Sequence, residues 1–531
     1  MADTNGSSSS KALKRYGPIA AIVAVIIGAI VIFGGGGDDS GDEEETSGNG
    51  GSSSDLPMTF QEAEDEGVDD IEWGDACDTD RGRIAIPVNN AAPCVEPWEG
   101  DDNGGATAQG VTADSIKVVV YQGEPDPLQQ ALVEDAGADT DPSVAAGVAV
   151  DFLKMLEDLY ETYGRTLDIQ IVEATGAGAD ATAAQADART IIDMEPFAVI
   201  GGPAQTPVYW QEIVAAGILC IGGCSVAEGE EVVQNAGPFL WPTAIAPEQA
   251  DVHLAEMIGK QLVGKPAEFA GDPELQDKER VFGFIQAETE TGEYEARNDA
   301  FDQMIADEYG GEIVARSTYL FDPAAAQETA TTVVTRMKDA GVTSVILSTD
   351  PLIPANITEE ATKQGYFPEW IVGPSVLVDT TIFGRTFDQE QWGHAFGISL
   401  PSARTADASL SDAFTSYEWY YGEESPSNTA NVLLPGPGML MLGIHLAGPE
   451  LTPETFEQGV FRFPPQAGGK TFPYVSWGEG DLWDGPDYNG SDDATAWWWD
   501  PDETGEDETG NEGTGMIRYV EIGRASCRER V

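Results

Sequence analysis

Short apolar runs alternate with longer amphipathic stretches through the middle of the chain. The apolar runs have the length and composition of buried strands, and the stretches between them have a helical period. One such stretch, 142–163, directly follows Asp141, and Asp is a residue type that often caps the start of a helix. The strands predicted in this first series are "IKVVVYQG", "LDIQIVEATG", "FAVIGG" and "ILCIGG", and the polar stretch ending "FLWPTAIAPEQ" closes the series. Strands that alternate with helices over short loops predict a parallel sheet covered on both faces.

A second series of the same type begins at residue 280. Helices are predicted over 293–309 and 323–340, and another ends at "EEATKQGY". The predicted strands are "RVFGFIQ", "EIVARSTY", "SVILSTD" and "EWIVGP". Two further helices follow within 409–448, the second strongly apolar, before an irregular segment rich in Trp and acidic residues. We therefore predict an α/β protein with two doubly wound parallel-sheet lobes.

The predicted domain organisation follows from these two series. We expect three chain crossings between the lobes, near 244–250, near 393–402 and after Gly459. The predicted segments are a cytoplasmic N-terminus (1–15), a transmembrane anchor (16–37), an acidic linker with a small Cys-containing part (38–111), lobe 1 (112–246), lobe 2 (247–398), a return to lobe 1 (399–460) and the Trp- and acid-rich C-terminal segment (461–520).

The anchor prediction rests on charge asymmetry around an apolar run. "KALKRYG" carries Lys11, Lys14 and Arg15 before "PIAAIVAVIIGAIVIF", and "GGGGDDSGDEEE" follows. Positive charge before such a run and negative charge after it orient the N-terminus inwards. No Ala-x-Ala cleavage pattern follows the run, so we favour a retained single-pass anchor; a cleaved signal peptide is the alternative. The rest of the chain is then expected on the extracytoplasmic face of the cell membrane.

Composition excludes one class of partner. The chain has 531 residues, of which 93 are acidic and 26 basic, giving a formal net charge of −67. Such a chain repels a phosphate backbone, so we expect no nucleic-acid binding. The self-repulsion is tolerable where salt screens it, which is compatible with a saline or extracellular setting. The 41% of hydrophobic residues are enough to build real cores.

The cysteines suggest two local disulfides. Cys77 and Cys94 bracket a short loop, and Cys220 and Cys224 bracket "IGG". Disulfides are permitted outside the cytoplasm, and free buried thiols are the alternative. The fifth cysteine lies in "EIGRASCRERV" (521–531), which resembles the in-frame translation of a sequencing adaptor. We expect that tail to be an artefact with no function.

Candidate chemistry lies at the carboxyl ends of the strands, where open α/β sheets bind ligands. In "FAVIGGPAQTPVYW" (197–210), Gly201 and Gly202 let the backbone approach a ligand closely, and a helix starting near Thr206 directs its free N–H groups to the same place. An ordinary strand-to-helix connection is the alternative. The other strand ends add Gln122, Tyr294 and Asp350 as candidate ligand-binding residues.

Enzymatic motifs are missing from the sequence. It has no Gly-x-Ser-x-Gly elbow, Walker loop, Gly-x-Gly-x-x-Gly after the first strand, or His-Glu-x-x-His. The histidines His253, His394 and His445 are isolated, and a lone histidine is more often structural than a metal ligand. "DPDETGEDETGNE" (500–512) approaches a calcium loop, but Asn511 stands where the closing Glu is needed. We expect no enzymatic activity, cofactor or metal.

The order of elements resembles the type I periplasmic solute-binding proteins, in particular the branched-chain amino acid (leucine/isoleucine/valine) binding family of ABC importers. The resemblance covers roughly 112–460 and is carried by "AVIGGPAQT", "GILCIGGCS", "VFGFIQAETETG", "KDAGVTSVILSTD" and "TKQGYFPEWIVGP". It implies that the loops of one lobe hold a ligand with backbone amides and hydroxyl groups. By position, the residues implied in lobe 1 are Ala204, Gln205, Thr206, Cys224, Ser225 and Val226.

The second lobe departs from that family pattern in two places. Thr291 of "ETETG" stands where a Tyr usually precedes Gly, and Ser375 follows "VGP" where an acidic residue commonly meets the ligand's ammonium group. Glu290 or Glu288 is a candidate replacement for that carboxylate, and a solvated surface Glu is the alternative for each.

The resemblance implies a function and its partners. A small polar solute, such as an amino acid, an amide or urea, would be captured by closure of a cleft and delivered to an ABC permease. The alternatives are the ectodomain of a ligand-sensing receptor and, with less support, a secreted hydrolase. The run Trp497 to Trp499 is expected to pack against a lobe, with a sugar-binding platform as the alternative.

Overall fold

The protein is described here from a computed structural model. The structure describes residues 56–124, 141–203, 206–225, 228–243, 245–288, 294–320, 322, 325–373, 377–400, 408–466, 474–479, 483, 485–508 and 510–519. The predicted anchor (16–37) and the tail 521–531 lie outside these residues.

Lobe 1 is built on a five-stranded parallel sheet with the order β4-β3-β5-β6-β7. All residues of β5 and β6 and the middle of β3 are buried, as expected for strands with helices on both faces. The elements of this part are β3 (Ser115–Glu124), α2 (Pro142–Glu157), β4 (Thr166–Ala177), α3 (Ala181–Ile192), β5 (Ala198–Ile200), α4 (Val208–Ala215), β6 (Leu219–Ile221), α5 (Glu230–Asn235) and β7 (Leu240–Trp241).

The helix predicted over 142–163 is shorter than expected. It begins with Asp141 as its N-cap, as predicted, but it ends at Glu157 with Asp158 as the C-cap. Tyr163 and Gly164 that follow both have positive φ, a conformation that no helix accommodates. The residues between the helix and β4 therefore form a turn.

Lobe 2 is built on a seven-stranded sheet with the order β16-β15-β12-β11-β10-β8-β9, in which β15 (Thr495–Glu506) and β16 (Glu512–Tyr519) come from the C-terminal segment. Strands β8 to β12 are parallel and have the same relative order as those of lobe 1. Two buried clusters cover the two faces of this sheet. The elements are α6 (Pro247–Gln261), α7 (Pro273–Gln276), β8 (Phe282–Glu288), α8 (Tyr294–Tyr309), β9 (Ile313–Leu320), α9 (Ala326–Asp339), β10 (Ser344–Ser348), α10 (Ile353–Lys363), β11 (Glu369–Val372), α11 (Thr381–Gly384), α12 (Gln389–Trp392) and β12 (Ala395–Ser399).

The chain passes between the two sheets three times. It leaves lobe 1 between β7 and α6, and leaves lobe 2 after Ser399. The second passage was predicted near 393–402; in that range Ala395–Ser399 is β12, which completes the parallel sheet, and the chain leaves lobe 2 directly after it. The chain then forms α13 (Asp412–Tyr421), α14 (Ala430–Leu433), α15 (Pro435–Ala447) and α16 (Pro453–Phe461) on lobe 1, and returns to lobe 2 through β13 (Gly478–Glu479) and β14 (Pro486–Asp487).

The C-terminal segment predicted to be irregular contains two long strands. They are β15 (Thr495–Glu506), which pairs antiparallel with β12, and β16 (Glu512–Tyr519), which pairs antiparallel with β15. Trp497 and Trp499 point into the lobe 2 core, while Trp498 between them is 45% exposed. The expected packing of the Trp run against a lobe is therefore confirmed for its first and third residues.

Acidic residues of this hairpin are bound to protein donors. The Glu508 carboxylate accepts hydrogen bonds from the backbone N–H groups of Thr381 and Ile382, at 2.7 and 3.0 Å, at the start of α11. The Arg385 guanidinium donates to the carbonyl groups of Gly505, Asn511, Gly513 and Gly515 and lies 3.3 Å from Asp507. The stretch that approaches a calcium-loop pattern thus comprises the end of β15, the hairpin turn and the first residue of β16.

A buried ion pair in lobe 2 links β11 to the residues that precede β8. Arg280 and Glu369 are 1% and 0% exposed, and the guanidinium donates two hydrogen bonds to the carboxylate, at 2.8 and 2.9 Å. The same carboxylate accepts from the Ser344 hydroxyl at 2.6 Å and from the Phe269 N–H at 3.0 Å. Both carboxylate oxygens are therefore satisfied, as burial of a charge requires.

Residues 56–111 pack against lobe 1 and share its core. This N-terminal segment contains α1 (Phe60–Glu66), β1 (Cys77–Asp78) and β2 (Arg83–Ile84). The buried Arg165 guanidinium donates to the carbonyl groups of Thr112, Asn103 and Pro449, which ties the end of the segment to the lobe. Both predicted disulfides are confirmed: Cα–Cα distances are 5.7 Å for Cys77–Cys94 and 5.6 Å for Cys220–Cys224.

His445 joins the N-terminal segment to α15. Its Nδ1 accepts a hydrogen bond from the Glu161 N–H at 2.8 Å, so its Nε2 carries the proton and donates to the Pro93 carbonyl at 2.9 Å. Burial lowers the pKa of His445 to about 4. The folded protein therefore holds this imidazole neutral.

One described segment is long and apolar enough to cross a membrane, residues 430–447 in α14 and α15. About two thirds of it, 67%, is buried inside the protein. It packs against α2 and α16 and against the lobe 1 sheet, so it is a core helix of that lobe.

We predict that Glu369→Gln destabilises the protein strongly. The substitution leaves the buried Arg280 charge without its counter-charge, which costs about 3–5 kcal/mol. Urea unfolding followed by circular dichroism measures the loss. The matched control is Glu503→Gln, which breaks the exposed Arg518–Glu503 pair and is expected to cost less than about 1 kcal/mol. Equal effects of the two substitutions would contradict the prediction.

We also predict that His445 makes the fold sensitive to acid. The unfolded histidine has a pKa of about 6.5, and the folded one has a pKa of about 4, so the unfolded state binds the extra proton between these values. The contribution of His445 to the free energy of unfolding is therefore fully present above pH 6.5 and declines as the pH falls towards 4. Between pH 7 and pH 4.5 the protein should lose about 2–3 kcal/mol relative to His445→Gln. The control is His394→Gln, at a half-buried histidine. If the free energy of unfolding fell with pH in the same way for the parent and for His445→Gln, His445 would not be the source of the acid sensitivity.

Candidate functional site

The carboxyl ends of β3, β5 and β6 lie side by side in lobe 1. Ile200 of β5 is in register with Val120 of β3 and with Ile221 of β6. The loops that leave these strands therefore begin at the same edge of the sheet, where ligands of open α/β sheets bind.

The loop after β5 needs its two glycines. Gly201 has φ +79°, and a Cβ at Gly202 would lie 2.5 Å from the Tyr209 ring and 3.1 Å from the Cys224 carbonyl oxygen. Only glycine fits both positions, which brings the β5 loop onto the β6 loop. Thr206 follows with 8% exposure, and its hydroxyl accepts a long hydrogen bond of 3.4 Å from the Val208 N–H at the start of α4.

The loop after β6 is closed by the Cys220–Cys224 disulfide. Gly222 has φ +67°, and a Cβ there would lie 3.2 Å from Gly436 Cα at the start of α15. Ser225 is 6% exposed, and its hydroxyl has no hydrogen-bond partner among the described residues. A buried hydroxyl without a partner costs free energy that a bound ligand or water recovers. Cys224 itself is consumed by the disulfide, so only its backbone remains available.

A buried polar cluster lies below the β5 loop. The Asp187 carboxylate accepts hydrogen bonds from the Tyr121 hydroxyl at 2.8 Å, the Thr175 hydroxyl at 2.7 Å and the Thr175 N–H at 3.1 Å. The rings of Tyr121 and Tyr209 are 5.3 Å apart, and the Tyr209 hydroxyl has no partner among the described residues. Burial, with the nearby Asp187 carboxylate, raises the pKa of both tyrosines, so both stay neutral.

Glu228 lies at the same edge of lobe 1. Its carboxylate accepts a hydrogen bond of 2.8 Å from the indole N–H of Trp210, in the first turn of α4. Burial raises its pKa, and the indole bond opposes that shift. Sequence analysis overlooked Glu228 and Asp187, because the sequence alone does not show which acidic side chains turn inwards.

In lobe 2, Asp350 is fully engaged by the protein. One carboxylate oxygen accepts from the N–H groups of Leu352 and Ile353, at 2.8 and 3.0 Å, and the other accepts from the Tyr319 hydroxyl at 2.5 Å. Burial raises its pKa. The neighbouring Thr349 hydroxyl is buried and has no partner among the described residues, so it is the more available polar group at the end of β10.

A second carboxylate at the lobe 2 edge has an ion-pair partner. Arg297, in the first turn of α8, donates to both oxygens of Asp251 in α6, with the second bond at 2.9 Å. Arg316 of β9 binds Asn298 at 3.0 Å and also pairs with Asp302. These arginines are occupied by protein acceptors.

The structure brings together part of the predicted site. Thr206, Cys224 and Ser225 lie on adjacent loops of lobe 1, and Gln122 lies half-buried near the end of β3. Glu288 ends β8 and Tyr294 begins α8, in lobe 2. The remaining candidates lie outside the described residues: Ala204, Gln205, Val226, Glu290, Thr291 and Ser375. Within the described residues, no group of three or more His, Cys, Asp or Glu side chains is placed to hold a metal ion.

Comparison with known proteins identifies a shared fold. No family model and no curated protein matches the sequence. Among solved structures, a protein from Rhodospirillum rubrum provisionally described as a branched-chain amino acid ABC transporter aligns with a TM-score of 0.50 at 14% identity, over 72% of this chain and 97% of that one.

Two other solved structures give similar alignments. An ABC transporter substrate-binding protein from Desulfitobacterium hafniense aligns with a TM-score of 0.49 at 15% identity, over 77% of this chain and 100% of that one. A leucine-, isoleucine-, valine-, threonine- and alanine-binding protein from Brucella ovis also gives 0.49, at 12% identity, over 78% of this chain and 98% of that one. At 14% identity the likeness to the Rhodospirillum rubrum protein concerns architecture alone: the chain has the fold of the type I periplasmic binding proteins, as the order of its elements predicts.

Proposed function

We propose that this protein is an extracytoplasmic solute-binding protein that captures a small polar solute in the cleft between its lobes and delivers it to an ABC permease. The observation that carries this proposal is the edge of lobe 1, where two glycine-containing loops touch and enclose the Ser225 hydroxyl, which has no partner among the described residues. A buried group of this kind is suited to a ligand with a complementary polar atom.

The binding step needs only hydrogen bonds. Thr206 and Ser225 offer hydroxyl groups from lobe 1, and Thr349 offers one from lobe 2. A solute that meets both lobes stabilises the closed arrangement over the open one, because its contacts are complete only on closure. The permease would then recognise the closed form.

The segments that pass between the lobes support such a movement. The Gln249 side chain, at the start of α6, donates to the Asp487 carboxylate at 3.0 Å, and Asp487 also accepts from the N–H groups of Asn489 and Gly490. This hydrogen bond therefore links the chain segments of the first and third passages between the lobes. A hinge built in this way rotates one lobe against the other while the segments stay in contact.

The two disulfides support the extracytoplasmic location. Both link residues close in sequence, and such bonds persist in oxidising compartments. Retention by the predicted anchor (16–37) belongs to the same proposal, and it places the protein at the outer face of the cell membrane.

We predict that Thr206→Val with Ser225→Ala weakens solute binding. Each substitution removes one hydroxyl group and changes the side-chain volume little. One lost hydrogen bond to the solute costs about 1 kcal/mol, so the two together should raise the dissociation constant about 30-fold. A thermal-shift screen of amino acids, amides, urea, short-chain acids and sugars supplies the probe, and isothermal titration measures its affinity. The control is Thr190→Val on the exposed face of α3. A double variant that binds as tightly as the parent would show that these loops are only connections.

We further predict that Thr291→Tyr shifts the preference of the cleft towards amino acids. The resemblance implies a Tyr at this position in relatives that bind amino acids, and one or two additional hydrogen bonds are worth about 1–3 kcal/mol. Titration with leucine and with the best ligand of the screen gives the ratio of affinities for parent and variant. Thr331→Tyr on the exposed face of α9 is the control. An unchanged ratio would exclude Thr291 from the site.

A further inference from the structure

Within 112–246, the basic residues of lobe 1 lie at one edge of its sheet. Lys117 lies near the start of β3 and donates to the Met194 carbonyl at 2.8 Å. Arg165 directly precedes β4, while Lys154 and Arg189 lie in the last turns of α2 and α3. In a parallel sheet with returning helices, all four positions belong to the amino ends of the strands, opposite the candidate site.

The stretches that build the carboxyl edge contain no Lys or Arg. Residues 118–153, 166–188 and 190–259 are free of both, and they contain numerous Asp and Glu residues. The one histidine in these stretches, His253, is held neutral at pH 7 because burial lowers its pKa to about 4. The strand and helix stretches of lobe 1 therefore supply no positive side chain to this edge.

Two carboxylates at this edge are held by neutral donors. The Asp187 carboxylate accepts hydrogen bonds from Tyr121 and Thr175. The Glu228 carboxylate accepts one from the Trp210 indole N–H. No ion pair reaches Glu228 in the part of the chain that the structure describes, although Glu228 is half-buried. The Ser225 hydroxyl, which lacks a partner there, belongs to the same loop. A half-buried carboxylate of this kind is stabilised by a cation brought from outside.

Lobe 2 differs at the corresponding edge. Its buried Asp251 is already paired with Arg297. Asp350 at the end of β10 accepts three hydrogen bonds from neutral donors, whereas Glu228 accepts one, so Glu228 is the less satisfied of these two carboxylates.

We propose that the solute is an organic cation, such as an amine, an amidinium or a quaternary ammonium compound, whose positive group is held by Glu228 at the edge of lobe 1. This inference rests on the proposed function, since it names the class of solute for the same cleft. A cation gains a charge-assisted contact with the carboxylate. An anion would instead be repelled by Glu228 and by Glu124 at the end of β3. No lysine or arginine of residues 118–153, 166–188 or 190–259 would offset that repulsion.

The test uses the full chain and pairs of probes that differ in charge but little in shape. The cation and its neutral counterpart are guanidinium with urea, and choline with 3,3-dimethyl-1-butanol; acetate with acetamide tests the anion. Titrations in 0.15 M and 0.5 M NaCl separate a defined site from general attraction to the acidic surface, because salt screens the latter. We expect one cation to bind at least ten-fold more tightly than its neutral counterpart at both salt concentrations.

Two variants locate the charge. Glu228→Gln keeps an acceptor for the Trp210 indole and removes only the charge, so it should weaken cation binding at least ten-fold and leave the neutral counterpart within about two-fold. Glu231→Gln, exposed in the first turn of α5, is the matched control and should change neither.

The outcomes are distinguishable. Tighter binding of a neutral or anionic probe, an equal effect of the two variants, or binding of divalent metal ions in place of organic cations would overturn the cation assignment and leave the solute-binding proposal intact. If no probe of any class binds, the proposed function fails and the inference fails with it.

Discussion

Burial of the parallel strands on both faces is the constraint on which the rest of the structure depends. Strands β5, β6 and β11 expose almost none of their side chains, so they hold only apolar residues or tightly bonded polar ones. Where a charge does enter this layer, as Glu369 does in β11, the protein surrounds it with Arg280, Ser344 and a backbone N–H. Polar groups that can bind a ligand are therefore limited to the ends of the strands. Because the strands are parallel, the loops that follow them all lie at one edge of the sheet.

Most of the fold could be predicted from the sequence because those buried strands read as apolar runs. The C-terminal hairpin could not, since β15 runs from three tryptophans into acidic and turn-forming residues, and the identity of its partner, β12, is a tertiary property. The end of the helix at Glu157 was also mispredicted, because helical periodicity continues beyond it and the positive φ of Tyr163 does not follow from its residue type.

The candidate site was accessible to sequence analysis only in part. Thr206 and Ser225 were found because glycines mark the loops that carry them. Asp187 and Glu228 were not found, because their roles come from contacts with Tyr121, 66 residues away, and Trp210, 18 residues away. In a chain with 93 acidic residues, only the structure separates the carboxylates that turn inwards from the solvated majority.

Arg385 has a consequence beyond holding the C-terminal hairpin. Strand β16 is the outermost strand of the lobe 2 sheet, and Gly513 and Gly515 present their carbonyl groups on its outer side. An unpaired row of such groups is a template on which a strand of another molecule can add. The guanidinium occupies these acceptors, and the Thr381 hydroxyl accepts the Ile517 N–H at 3.4 Å, so side chains of the same lobe satisfy that edge. Arg385 and Thr381 therefore leave fewer backbone groups on this edge free to pair with a strand of another molecule.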